Sequence, residues 1–126
     1  MIRRNKKYTI DEIFKWIEIS PTKIRKYKKE LDGDLINPTS LRYKVFNLKG
    51  VRCVKCGIEG KYFIKERDIN NPYYHLNLYG VDKNGNEILM TKDHVFPKSK
   101  GGKDTLKNFQ TMCFNCNKEK GDKVDE

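Results

Sequence analysis

The sequence predicts a small α+β fold with a basic helical arm at its N-terminus. Three observations carry this reading. Apolar residues recur at helical spacing between residues 9 and 48. Short β-prone runs bounded by turn residues follow from residue 51. Two Cys-x-x-Cys pairs, far apart in the chain, are placed to tie distant segments together. A chain of 126 residues buries roughly two thirds of its unfolded surface. With 35% charged residues and a mean hydropathy of −0.84, its core must be thin.

The elements follow in chain order. Thr9 can cap a first helix, in which Ile10, Ile13, Phe14 and Ile17 share one face. Ser20-Pro21 reads as a second helix start, with Ile24, Tyr27 and Leu31 as its apolar stripe. Asp32-Gly33-Asp34 stops that helix, and Leu35–Pro38 reads as a linker. A third helix runs from Thr39 or Ser40 to about Leu48 and ends at Gly50. Short strands are expected near Val51–Val54 and Lys61–Lys65. Tyr74–Val81 and Glu87–Thr91 form a hairpin around Lys83-Asn84-Gly85-Asn86. Lys98–Lys103 is a loop, Phe109–Met112 a strand, and Asn115–Lys120 a final helix. These boundaries divide the chain into an arm, residues 1–37, and a domain, residues 38–126.

Composition narrows the partners. The net charge of +10 favours a polyanion, because lysine and arginine release the counterions condensed on phosphates. Residues 1–50 hold 13 basic and 6 acidic residues, so most of the excess lies in the first fifty residues. No apolar core follows Met1-Ile2-Arg3-Arg4, and no run approaches membrane-spanning length. A reducing cytoplasm, bacterial or of a phage-infected host, is the expected compartment, where cysteines serve as metal ligands more often than as disulfides. Cys53 and Cys56, with Cys113 and Cys116, make two knuckles. Each turn brings two sulfurs to one side, and two such pairs complete a tetrahedral, structural Zn²⁺ site with no open position for water.

The stretch from residue 91 onward carries the chemistry. It reads Asp93-His94, Pro97, Lys100-Gly101-Gly102, Asn108-Phe109-Gln110, Cys113-x-x-Cys116-Asn117 and Lys120-Gly121. In order and spacing this resembles the HNH endonuclease family, over about residues 50–122. The resemblance implies a ββα-metal finger and hydrolysis of DNA phosphodiester bonds to 5′-phosphate and 3′-hydroxyl ends. It places the family's first His at His94, its central Asn at Asn108 and its final His-or-Asn at Asn117. Asp93 and Asn117 offer the oxygen ligands that suit Mg²⁺ or Mn²⁺. His94, adjacent in a strand, faces the other way and is the expected general base. The resemblance also implies that Asn108 bonds backbone across the loop. Lys98, Lys100, Lys103 and Lys120 are expected at the DNA backbone. His75 reads as a packing or surface residue, and Trp16 and the tyrosines as core.

The arm, through Ile19-Ser-Pro-Thr-x-Ile-Arg-x-Tyr27, resembles a helix-turn-helix. That resemblance puts Thr22, Lys23, Arg25 and Lys26 at the head of a recognition helix. The equally weighted alternative is a basic helical pair that packs or touches phosphates only. For the whole chain, the alternative to a nuclease is a zinc-stapled nucleic-acid-binding module without turnover. Target sequence, nicking or double-strand cutting, oligomeric state and biological setting (phage, mobile intron or restriction system) are not encoded in these patterns.

Overall fold

The structure, a computed structural model, describes residues 1–18 and 27–123. Its centre is a five-stranded antiparallel sheet in the order β1-β4-β5-β6-β7. The strands are β1 (Ile2–Thr9), β4 (Gly60–Arg67), β5 (His75–Val81), β6 (Glu87–His94) and β7 (Phe109–Cys113). A separate hairpin pairs β2 (Lys29–Leu31) with β3 (Asp34–Ile36). The α-helices among the described residues are α1 (Ile10–Glu18), α2 (Leu41–Lys49) and α3 (Phe114–Lys120). None is long and apolar enough to cross a membrane.

Local sequence explains most of these boundaries. Thr9 Oγ1 accepts the Glu12 N–H at 3.1 Å and so caps α1. Gly50, at φ +95°, ends α2 with its N–H on the Phe46 carbonyl. The β5–β6 turn is held by Asp82, whose Oδ1 accepts the N–H groups of Asn84 and Asn86 at 2.9 Å each. One core serves the chain. Phe63 of β4 lies at its centre, with the rings of Phe14 and Tyr43 edge-on at 6.2 and 6.4 Å. Tyr8, Ile13 and Ile36 share that cluster with Leu76, Met90 and Met112.

Three expectations change at the N-terminal end. Ile2–Thr9 is a strand, paired antiparallel with β4. Its apolar alternation is almost absent, since only Tyr8 is buried. Cations hold it instead: Arg3 pairs with Glu66 and Glu87, Arg4 with Asp34, and Lys6 with Asp32. Lysine and arginine on an edge strand also discourage pairing with another chain. Lys29–Leu31, expected to end a helix, is β2, and Asp32-Gly33 is a two-residue turn with φ +48° and +89°. Positive φ at both positions is what a hairpin of that length needs, and Asp-Gly supplies it. Leu35-Ile36, expected as linker, is therefore β3. Residues 19–26, with the expected turn and Thr22, Lys23, Arg25 and Lys26, lie outside the described residues. The segment expected as a separate arm thus shares the sheet and core of the remainder. Near Val51–Val54 the structure has a single bridge, Arg52 to Glu59, in place of a strand.

The hairpin is fastened by a buried ion pair. Lys65 Nζ, on a side chain only 3% exposed, lies 2.8 Å from Asp34 Oδ2 and donates to the Leu31 carbonyl at 2.6 Å. Hydrogen bonds from Arg4, and then from Lys65, outweigh partial burial and hold the Asp34 carboxyl below its ordinary range. A carboxyl lowered on folding contributes stability above about pH 4 and loses it as pH falls through the folded value. Asp34→Asn is expected to cost about 3 kcal/mol at neutral pH, because it strands the buried Lys65. The difference from wild type should shrink below about pH 4. Urea unfolding at a series of pH values checks both the cost and its direction.

Candidate metal centre and active-site cleft

The four cysteines converge. One ligand sulfur from each of Cys53, Cys56, Cys113 and Cys116 lies within 4.8 Å of all the others. Sulfurs about 2.3 Å from a tetrahedral zinc stand about 3.8 Å apart, and Cys56 Sγ is 3.8 Å from Cys113 Sγ. The first knuckle is shaped by Cys53 N–H on the Ile58 carbonyl at 2.8 Å and Gly57 N–H on the Cys53 carbonyl at 3.0 Å. Gly57 takes φ +83° to close it. The second knuckle is a helix start: Cys113 ends β7, and its Sγ accepts the Cys116 N–H at 3.4 Å. Val54 N–H on the Thr111 carbonyl straps the first knuckle to β7.

The thiols are electrostatically unequal. Burial opposes ionisation of Cys53, yet the backbone N–H groups of Cys113, Cys56 and Lys55 outweigh it and draw the thiol down to about 6. Burial first, then the neighbouring thiols, push Cys116 up, and burial likewise raises Cys113. The group as a whole could hold a zinc ion, whose charge would reconcile four adjacent thiolates.

Asp93, His94, Asn117 and Lys120 line one cleft of about 230 Å³, together with Lys92 and Pro97. Three segments form it: the end of β6, residues 97–99 of the loop after it, and the helix α3 that follows β7. Asp93 is buried. Its Oδ2 accepts Gln110 Nε2 at 2.9 Å and Lys120 Nζ at 2.9 Å. Lys120 also donates to the His94 carbonyl at 2.7 Å. Lys120, expected at the DNA backbone, is thus turned inward, its side chain 4% exposed. Asn117 donates Nδ2 to Thr91 Oγ1 at 2.8 Å, and Thr91 Oγ1 donates to the Met112 carbonyl. His94 stands 4.6 Å from the Phe109 ring, and its Nε2 is 2.7 Å from Asp104 Oδ1.

The loop between β6 and β7 returns on itself through two features. Asn108 Oδ1 accepts the Phe96 N–H at 2.8 Å, while Nδ2 donates to the carbonyls of Phe96 and Lys103 at 3.0 and 2.9 Å. The glycine pair divides the labour. Gly101 takes φ +95°, and Gly102 passes so close to residue 96 that a Cβ there would lie 1.8 Å from the Phe96 carbonyl oxygen. Lys98, Lys100 and Lys103 are exposed on this loop, with Lys98 Nζ 3.1 Å from Asp104 Oδ2. Asp104, Gln110 and Thr91 escaped the reading from sequence. A lone acid within a lysine-rich loop was the available signal for Asp104.

The thiol cluster generates a direct expectation. Elemental analysis of the purified chain should find one zinc per molecule. Cys113→Ser should lose both the metal and cooperative unfolding. A zinc-free chain that melts cooperatively at an unchanged temperature would remove the metal from this account.

No curated protein and no solved structure gives a significant match to the chain. The family comparison does: residues 82–126, running from the β5–β6 turn through the cleft and the second knuckle to the C-terminal end, match the family described as HNH endonuclease.

Proposed function

We propose that the chain is a divalent-metal-dependent endonuclease that hydrolyses DNA phosphodiester bonds through a ββα-metal finger made of β6, β7 and α3. One observation carries the reading. Asp93, His94 and Asn117 open into a single cleft, beside a loop clamped by the Asn108 amide. A binding surface has no use for that combination.

Each side chain has a task. His94 accepts a proton from the attacking water. Asp93 has Oδ2 committed to Lys120 and Gln110, which leaves Oδ1 for a cation. Asn117 has its nitrogen on Thr91, which leaves its amide oxygen. Two oxygen ligands with water completing the shell suit Mg²⁺ or Mn²⁺. When bound, that ion stabilises the charge of the phosphorane and of the departing 3′ oxygen. Lys120 neutralises half of Asp93 and grips the His94 carbonyl, so it sets the end of β6. Asn108 holds the loop from residue 96 to residue 103. Lys98, Lys100 and Lys103 stand ready for the DNA backbone. The thiol cluster has a structural role.

His94→Ala is expected to lower cleavage of duplex DNA by about 10²–10⁴-fold, with zinc content, melting and DNA affinity unchanged. Asp93→Asn should behave differently, because part of its defect should return at higher Mg²⁺. Asp93→Ala should in addition be unstable, since it leaves Lys120 buried without its carboxylate. Plasmid relaxation with Mg²⁺ or EDTA measures all of these. Wild-type cleavage by His94→Ala would leave only the alternative, a zinc-stapled module that binds nucleic acid without cutting it.

A further inference from the structure

We propose that Asp104 is the positioning residue of His94, and that the pair commits Nδ1 as the nitrogen that takes the proton from water. The proposal rests on His94 as general base and extends it to a residue outside the series Asp93, His94, Asn108 and Asn117.

The geometry is specific. His94 Nε2 and Asp104 Oδ1 are 2.7 Å apart, a distance typical of a charge-assisted bond. A carboxylate can only accept, so Nε2 carries the hydrogen and the lone pair is on Nδ1. The imidazole is bounded on a second side by the Phe109 ring at 4.6 Å. Its backbone is fixed by Lys120 on the His94 carbonyl. The other charges nearby are Asp93, bound to Lys120, and Lys92, whose Nζ lies over the Phe109 ring. Both oxygens of Asp104 are used, because Lys98 Nζ donates to Oδ2 at 3.1 Å.

One amide brings the two partners together. Asn108 binds Phe96, two residues after His94, and Lys103, one residue before Asp104. The loop is thereby closed at the point where the carboxylate meets the ring. The location also argues for a role. Asp104 is exposed among Lys98, Lys100, Lys103 and Lys107, on the loop assigned to phosphate contact. An acid there repels the proposed substrate, and its pairing with His94 and Lys98 offsets that repulsion.

The step balances. A water O–H bond breaks and its proton passes to Nδ1. The water oxygen bonds to phosphorus, and the bond from phosphorus to the 3′ oxygen breaks. The departing oxygen takes a proton from solvent. His94 is then an imidazolium whose Nε2–H still points to the Asp104 carboxylate, which stabilises the new charge and takes no proton.

The chain has two histidines, His75 and His94, so the imidazole protons of the full-length, zinc-loaded protein are readily assigned. Proton NMR at low temperature should show a downfield Nε2–H of His94 protected from exchange. It should persist in His75→Gln and vanish in His94→Ala and Asp104→Ala. On duplex DNA with Mg²⁺, Asp104→Ala should lose about 10–100-fold in kcat with KM unchanged, and Asp104→Glu should retain more of the rate. Asp104→Asn, of the same size, replaces the alanine variant if that one fails to hold zinc, with the same loss expected. Absence of the protected proton in wild type overturns the proposal, as does a defect confined to KM. A wild-type kcat in Asp104→Ala while His94→Ala is inactive removes Asp104 alone and leaves the general base standing. Wild-type cleavage by His94→Ala takes down both.

Discussion

Four sulfurs within 4.8 Å of one another cannot all be charged unless a cation lies among them, and the geometry of the C-terminal half depends on resolving that conflict. The cluster joins the loop before β4 to the junction of β7 and α3. That junction sets where α3 leaves the sheet. From there Asn117 reaches Thr91, and Lys120 reaches Asp93 and the His94 carbonyl. A two-turn helix has little stability of its own. Its bearing on the end of β6 comes from the thiol cluster at its start and from the buried Lys120–Asp93 pair at its end.

The opposite wall of the cleft is built by backbone capture. Asn108 spends its side-chain amide on residues 96 and 103, and Gly102 lets the chain pass against the Phe96 carbonyl. His94 therefore sits between two independently fixed segments, α3 on one side and the 96–108 loop on the other. The proposed role of His94 needs support of this kind, because small displacements of a reacting group are expensive in rate.

The charge of +10 is not evenly available. Arg3, Arg4, Lys6 and Lys65 are engaged with acids of the fold, and Lys29 donates to the Trp16 carbonyl. These cations hold β1 and the β2–β3 hairpin to the sheet. Lys100, Lys103 and Lys107 are exposed beside the cleft. Exposed lysines also lie elsewhere among the described residues, Lys49, Lys61 and Lys118 among them, and the sequence places most of its excess charge in the first fifty residues.

What the sequence alone determined was everything written in short-range patterns. The caps at Thr9 and Gly50, the turn at residues 83–86 and the two cysteine knuckles are local signals, set by backbone chemistry and ligand spacing. The clamp by Asn108 was legible only through the family resemblance, and the structure shows its bonds to nearby backbone. Strand β1 and the β2–β3 hairpin were not legible. Their stability lies in ion pairs with residues 26 to 84 positions away, so no apolar alternation marks them. Lys120 and Asp104 belong to the same class. A lysine and an aspartate carry no mark of whether they will face solvent, a buried carboxylate or an imidazole. Only the tertiary structure decided that, because the cost of burying a charge is met by a partner that the fold, and not the neighbouring sequence, brings within reach.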